Sequence, residues 1–147
     1  MMTVEIITIL LSIGAIAISV IAIVKSNNAA KTANDLTKGQ VEMQIREMIS
    51  SARRHYADMA TKLPNEDATP VISKLIASAL EDVRNAYDES CAKYIDGKVD
   101  KERFKKLYVT EIRNLVESES TKSEYIQPQS KYEATCKVYK EWNCLEN

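Results

Sequence analysis

The chain has 147 residues and 45% of them are apolar, but 18 apolar residues fall within the first 24 positions. One hydrocarbon-soluble segment followed by an ordinary polar domain excludes a multi-domain soluble enzyme, a multi-pass transporter and a disulfide scaffold. The formal net charge is −1, and the 20 basic residues after residue 24 are balanced by 20 acidic ones, so nucleic-acid binding is not expected.

The first predicted element is a helix that spans a membrane. Residues 6–24 carry no charge, and a 19-residue helix is roughly 28 Å long, close to the thickness of a bilayer's hydrocarbon core. A cleaved signal peptide is the alternative, because Ala15, Ile16 and Ala17 have the small-x-small pattern of a cleavage site. We favour an uncleaved anchor, since Glu5 and no lysine or arginine precedes the run.

Lysines immediately after the apolar run predict its orientation. Lys25, Lys31 and Lys38 follow the run, and Asp35 alone opposes them. Because cytoplasmic flanks of membrane helices are enriched in cations, the N-terminus is expected outside and the C-terminal domain in the cytoplasm. The lipid bilayer of an inner (plasma) membrane is therefore an expected partner.

Small side chains recur along the anchor at alternating spacings of four and three residues. This stripe begins with Thr8, Ser12, Ala15, Ser19 and Ala22 and continues through Ser26, Ala29 and Ala33. Small residues let two membrane helices approach closely, so the stripe indicates self-association and a homo-oligomer. The alternative is that the anchor is simply rich in small residues.

The spanning helix is expected to continue beyond the membrane, because no glycine or proline falls between Ala15 and Lys38. Gly39 is the first expected hinge or cap. This gives a transmembrane anchor over residues 1–25, a juxtamembrane helical stalk over residues 26–40 and a cytoplasmic helical domain over residues 41–147.

The cytoplasmic domain is predicted to be all-α. Apolar residues at helical spacing predict helices over residues 41–63, 70–94 and 100–116, and a short terminal helix over residues 132–142. Gly97 closes the second helix and Asp100 caps the third. Such amphipathic helices bury their stripes against each other, which predicts a small antiparallel bundle with the aromatic terminal helix packed across it.

No signature of catalysis or of ligand binding stands out in the sequence. His55 is the only histidine and lacks further metal ligands, and a carboxylate at Asp58 is too common a neighbour to indicate a catalytic base. The three glycines are isolated, so no phosphate-binding loop is present. We therefore expect no enzyme, metal, cofactor or small-molecule substrate. Cys91, Cys136 and Cys144 are expected as free thiols.

Two groups of residues are candidates for contact with an unknown protein partner. They are Arg53 and Arg54 in the first cytoplasmic helix, and Tyr125, Tyr132, Tyr139 and Trp142 in the last segment. Large aromatic side chains suit protein interfaces. We nevertheless favour a solvated, ion-paired face for the arginines and docking of the last helix on its own bundle for the aromatic residues.

The first 40 residues carry a resemblance. An uncharged run over residues 6–24, followed by the Lys-, Asn- and Ala-rich residues 25–36, resembles small single-pass membrane-anchored helical proteins of unknown function from bacteria and their phages. The favoured function is a single-pass interaction or adaptor protein that binds a cytoplasmic or membrane partner. The alternative is a membrane-active effector of the holin or phage-exclusion type, which oligomerises through its transmembrane helix.

Overall fold

The computed structural model describes residues 2–61, 70–125, 127 and 130–143, with side chains from residue 14 onward. These residues form five helices and no strand: α1 (Met2–Thr61), α2 (Pro70–Ile95), α3 (Lys101–Glu117), α4 (Lys122–Tyr125) and α5 (Glu133–Asn143). The all-α prediction is confirmed for this part of the chain. Two compact units are present, Met1–Thr37 and Lys38–Asn147, and the helical bundle lies in the second.

A helix cap at Gly39, one of the two roles predicted for this residue, is wrong, because α1 runs through Gly39 without interruption. Glycine in a helix interior costs only about 1 kcal/mol relative to alanine. The residues on both sides favour a helix, and the turns after Gly39 bury Ile45 and Ile49. Burial of these side chains outweighs the cost of one glycine.

Within the described residues, none of the helices combines the length and the apolar character needed to cross a membrane. The span predicted over residues 6–24 falls partly outside this part, because the side chains of residues 6–13 are not described.

Local sequence signals set the ends of α2 and α3 as predicted. Pro70 opens α2, where a proline loses no intrahelical hydrogen bond. Gly97 has a φ of 69°, the left-handed conformation that glycine adopts most easily after a helix. Its N–H donates to the carbonyl of Tyr94, and the next N–H donates to the carbonyl of Lys93, which completes a Schellman motif. The Asp100 side chain accepts from the Arg103 N–H at 3.0 Å and caps α3.

Contacts between helices define the direction of each one. Along α1 and α3, Glu42 pairs with Arg103 and Arg53 pairs with Glu111, so these helices run parallel. Tyr87 on α2 donates to Glu111, whereas Tyr94 stacks on Phe104, so α2 runs against α3. The bundle therefore alternates in direction from α1 to α3.

The terminal helix α5 lies along α2 rather than across the bundle. Glu81, Asp88 and Tyr94 of α2 contact Lys131, Thr135 and Glu141 in that order. Because both series ascend together, the two segments run parallel and side by side. This arrangement makes α5 the fourth long element of the bundle.

The core is built mainly from aromatic and β-branched side chains of all four long helices, together with one valine from the turn between α2 and α3. Its buried members are Ile45, Ile49, Val83, Ala86, Tyr87, Cys91, Tyr94, Val99, Phe104, Ile112, Val138 and Trp142. The amphipathic stripes predicted for residues 70–94 and 100–116 include Leu75 and Leu107, but these two leucines are half exposed, at 50% and 47%. The fully buried side chains of α2 begin at Ala79, so Leu75 lies at the edge of the core.

Candidate functional site

The predicted aromatic contact residues are mostly part of the core. Tyr125, Tyr132 and Trp142 are each at most 3% exposed, and Tyr139 is half buried and donates to Glu117 at 2.6 Å. In the folded bundle, the first three side chains offer no surface to a partner. The structure thus corresponds to the favoured interpretation, in which the last helix docks on its own bundle.

Trp142 belongs to a cluster of three rings from three helices. Its ring meets Tyr94 edge-on at 5.6 Å and lies 6.3 Å from the ring of Phe104. The indole N–H donates to the Tyr94 hydroxyl at 3.1 Å, and that hydroxyl donates to Glu141 at 2.7 Å. The indole N–H and the Tyr94 hydroxyl are therefore both hydrogen-bonded inside the bundle, as expected for a structural cluster.

Arg53 also makes its principal contacts within the chain. Its guanidinium lies 5.5 Å from the centre of the Tyr87 ring, donates to the Tyr87 hydroxyl oxygen and pairs with Glu111 at 3.0 Å. The Tyr87 hydroxyl donates to Glu111 at 2.6 Å. Burial, reinforced by the Glu111 carboxylate, raises the pKa of Tyr87 above its ordinary value, so the phenol stays protonated. This trio joins α1, α2 and α3. The neighbouring Arg54 is exposed and is not part of the trio.

Tyr87 and Glu111 were not singled out by sequence reasoning. They lie 24 residues apart, and Arg53 lies 34 residues before Tyr87. No local spacing could have indicated the trio, because the packing of three helices brings it together.

His55 faces a different carboxylate from the one considered in the sequence. Its Nδ1 lies 3.6 Å from Asp82 on α2, and both side chains are about half exposed. They line an open cleft of about 480 Å³ with Met48, Asn85 and Glu89. No cluster of potential metal ligands occurs among the residues that the structure describes.

A second cleft, of about 490 Å³, lies between α3, α4 and α5. Val116, Tyr125 and Cys136 line it, and Lys137 and Lys140 contribute from α5. The Cys136 thiol donates to the Tyr125 carbonyl at 3.2 Å, and burial raises the pKa of this thiol. A raised thiol pKa lowers the thiolate fraction and disfavours a nucleophilic role.

Cys91 and Cys136 are free thiols, and Cys144 lies outside the described residues. Burial raises the pKa of Cys91 to about 12, so this thiol is also unreactive at neutral pH. Both cysteines therefore serve packing in the folded bundle.

Asp88 connects α2 to the beginning of α5. Its Oδ1 accepts from the backbone N–H and from the hydroxyl of Thr135, at 2.9 and 3.0 Å. Thr135 is fully buried, and its N–H belongs to the first turn of α5, where N–H groups lack partners within the helix. A carboxylate supplied by another helix thus caps α5.

Replacing Asp88 by alanine is expected to lower the free energy of unfolding by about 1–3 kcal/mol, because two buried donors lose their acceptor. Urea unfolding of the full chain in detergent measures the loss. Asp82→Ala is the matched control, because Asp82 lies on the same helix as Asp88. It removes a half-exposed carboxylate that lies 3.6 Å from His55, and the expected loss of unfolding free energy is at most about 1 kcal/mol. Equal effects of the two substitutions would contradict the capping role.

On the N-terminal unit, the small-residue stripe is exposed where its side chains are described. Ala15, Ser19 and Ala22 are exposed on α1, whereas Thr8 and Ser12 lie outside the described side chains. The Ser19 hydroxyl donates to the Ala15 carbonyl at 2.8 Å, so its hydrogen is already bonded within the helix.

Larger aliphatic side chains on the same helix are exposed as well. Each is at least 52% exposed: Ile16, Ile18, Val20, Ile21, Ile23 and Val24. In the bundle, the exposed pair Val71 and Leu75 lies one turn apart on α2.

No protein-family model, curated protein or solved structure matches this chain.

Proposed function

We propose that the chain is a single-pass membrane-anchored adaptor. Residues 1–25 form its transmembrane anchor, residues 26–40 form a stalk, and residues 41–147 form a cytoplasmic helical domain that binds a protein partner. The exposure of the aliphatic side chains from Ile16 to Val24 carries this proposal.

These aliphatic side chains cover most of the circumference of α1, and the small-residue stripe occupies the rest. Ile16, Ile18, Val20 and Ile21 are more than half exposed, and successive residues on a helix differ by about 100° in direction. A helix that is apolar all round is stable where an apolar environment surrounds it, and a bilayer supplies that environment. A helix over the uncharged residues 6–24 is long enough to cross the hydrocarbon core of a bilayer.

Binding rather than catalysis is proposed for the cytoplasmic domain. The titratable groups of the Arg53, Tyr87 and Glu111 trio are joined to one another across three helices. Surface remains for a partner at Arg54 and at the exposed aliphatic pair Val71 and Leu75.

The orientation test uses a reporter fused after Asn147. A reporter that is active only in the cytoplasm is expected to be active, because Lys25, Lys31 and Lys38 follow the apolar run. Activity of a reporter that works only outside the membrane would contradict the proposed topology.

Partner binding is tested by crosslinking the full chain in native membranes and purifying it. We expect one stoichiometric protein, which Val71→Lys with Leu75→Lys removes. Leu107→Lys is a matched control, since Leu107 is similarly exposed but lies on α3.

Collapse of the membrane potential on expression, relieved by Ala15→Ile or Ser19→Ile, would instead support the membrane-active effector.

A further inference from the structure

Residues 26–43 of α1, which cover the stalk and the first residues of the bundle domain, include an uncharged line of exposed side chains. Its members alternate at spacings of three and four residues, and we call them the stalk seam: Ser26, Ala29, Ala33, Leu36, Gln40 and Met43. Leu36 is 66% exposed and Met43 is 73% exposed, and they are the large aliphatic side chains left uncovered between Val24 and the end of α1. The stalk seam therefore ends in two large apolar groups, which distinguishes it from a stripe of small residues.

Met43 points away from the bundle that its own helix helps to form. Ile45 follows it by two residues, or about 200° around the helix, and is fully buried. Burial of Ile45 therefore leaves Met43 without cover from its own domain. Leu36 precedes Met43 by seven residues, a spacing that repeats one direction on a helix that pairs with another.

The charges of this segment avoid the stalk seam. Lys25, Lys31, Asp35, Lys38 and Glu42 all lie at other positions of the repeat. When two identical helices pair in parallel and in register, each seam residue meets its own counterpart, so a charge on the seam would face a like charge. The stalk seam contains none from Ser26 to Met43.

The same register shows where pairing would end. The next positions after Met43 are Glu47, Ser50 and Arg54. In a symmetric pair, Glu47 would meet a second glutamate and Arg54 a second arginine, and both contacts are repulsive. The uncharged seam thus stops within the first turns of the bundle domain.

From this pattern we infer that the stalk pairs in parallel, along the stalk seam, with a second copy of this chain. The inference rests on the proposed function in one respect: two copies anchored in the same bilayer with the same orientation present their stalks side by side and parallel. Small residues allow the helices to approach near the membrane, and Leu36 and Met43 bury apolar surface farther along. The polar Gln40 between them favours one register, since its amide can bond to its counterpart.

The test measures the mass of the full chain in detergent micelles by light scattering, corrected for detergent. The wild-type chain is expected to be a dimer. Leu36→Glu with Met43→Glu is expected to halve the measured protein mass. In a dimer, the two new glutamates of each chain would face those of the other chain, and their repulsion would separate the chains. Circular dichroism checks that the helix content is unchanged, as expected for two exposed positions.

Asn27→Glu with Asn34→Glu is the matched control. These two residues are exposed, lie seven residues apart and fall off the stalk seam, so the same added charge should leave the dimer intact. A monomeric wild type, or a seam variant that stays as dimeric as the control, would overturn the inference.

Flotation with lipid vesicles separates this inference from the proposed function. Chains that float with the vesicles but are monomeric would contradict dimerisation along the stalk seam and agree with the membrane anchor. Chains that do not float, but are dimeric except in the seam variant, would contradict the anchor and support dimerisation along the stalk seam.

Discussion

Replacing Ile16 and Ile18 by arginine is expected to release the full chain from the membrane. Both residues lie near the middle of the uncharged residues 6–24, and both are more than 60% exposed on α1. An arginine at the centre of a membrane helix costs about 2.5–3.5 kcal/mol on insertion scales. Two arginines cost about 6 kcal/mol, which shifts the equilibrium between the membrane-inserted and the released chain by about 10⁴-fold.

Membrane association is measured by carbonate extraction followed by flotation. Asn27→Arg with Asn28→Arg is the matched control, because it adds the same charge just beyond the apolar run, where arginines favour the cytoplasmic side. The control should remain in the membrane. Retention of the Ile16 and Ile18 variant would contradict the anchor, as would a mature chain whose N-terminus lies after Ala17.

The second large effect is expected for Trp142→Ala. Trp142 is 3% exposed and contacts the rings of Tyr94 and Phe104. Truncating a buried tryptophan to alanine typically lowers the free energy of unfolding by about 3–5 kcal/mol. Denaturant unfolding of the full chain in detergent measures this loss, and far-ultraviolet circular dichroism follows the helices.

Tyr139→Phe is the control for this substitution. It removes a hydroxyl that donates to Glu117 from the more exposed face of the same helix, so a loss of about 0.5–1.5 kcal/mol is expected. If Trp142→Ala left stability unchanged but abolished crosslinking to a partner, the aromatic helix would be an interface rather than a core element.

The Arg53, Tyr87 and Glu111 trio affects how a partner could use the two neighbouring arginines. Engaging Arg53 would break an ion pair and a hydrogen bond that join three helices. Arg54 is exposed and is not part of the trio, so engaging it breaks neither of these contacts. We therefore expect a charge reversal at Arg54 to change partner binding with little effect on stability, and a reversal at Arg53 to change both.

Helix positions in the bundle were largely predictable because their signals are local. Pro70, Gly97 and Asp100 act on backbone groups within a few residues, and helical spacing of apolar residues follows from 3.6 residues per turn. The short helix α4 was not predicted, since the serines and glutamates before it carry no periodic signal. Gly39 misled the prediction because one unfavourable residue does not stop a helix that later turns bury.

The sequence by itself determined an uncharged N-terminal segment, the charge pattern of residues 25–43 and the limits of α2, α3 and α5. Only the tertiary structure decided which side chains of each stripe are buried. It placed Tyr125, Tyr132 and Trp142 in the core and left Leu75 and Leu107 half exposed. The physical reason is range: caps and helical spacing act over a few residues, whereas the contact between Trp142 and Tyr94 joins positions 48 residues apart.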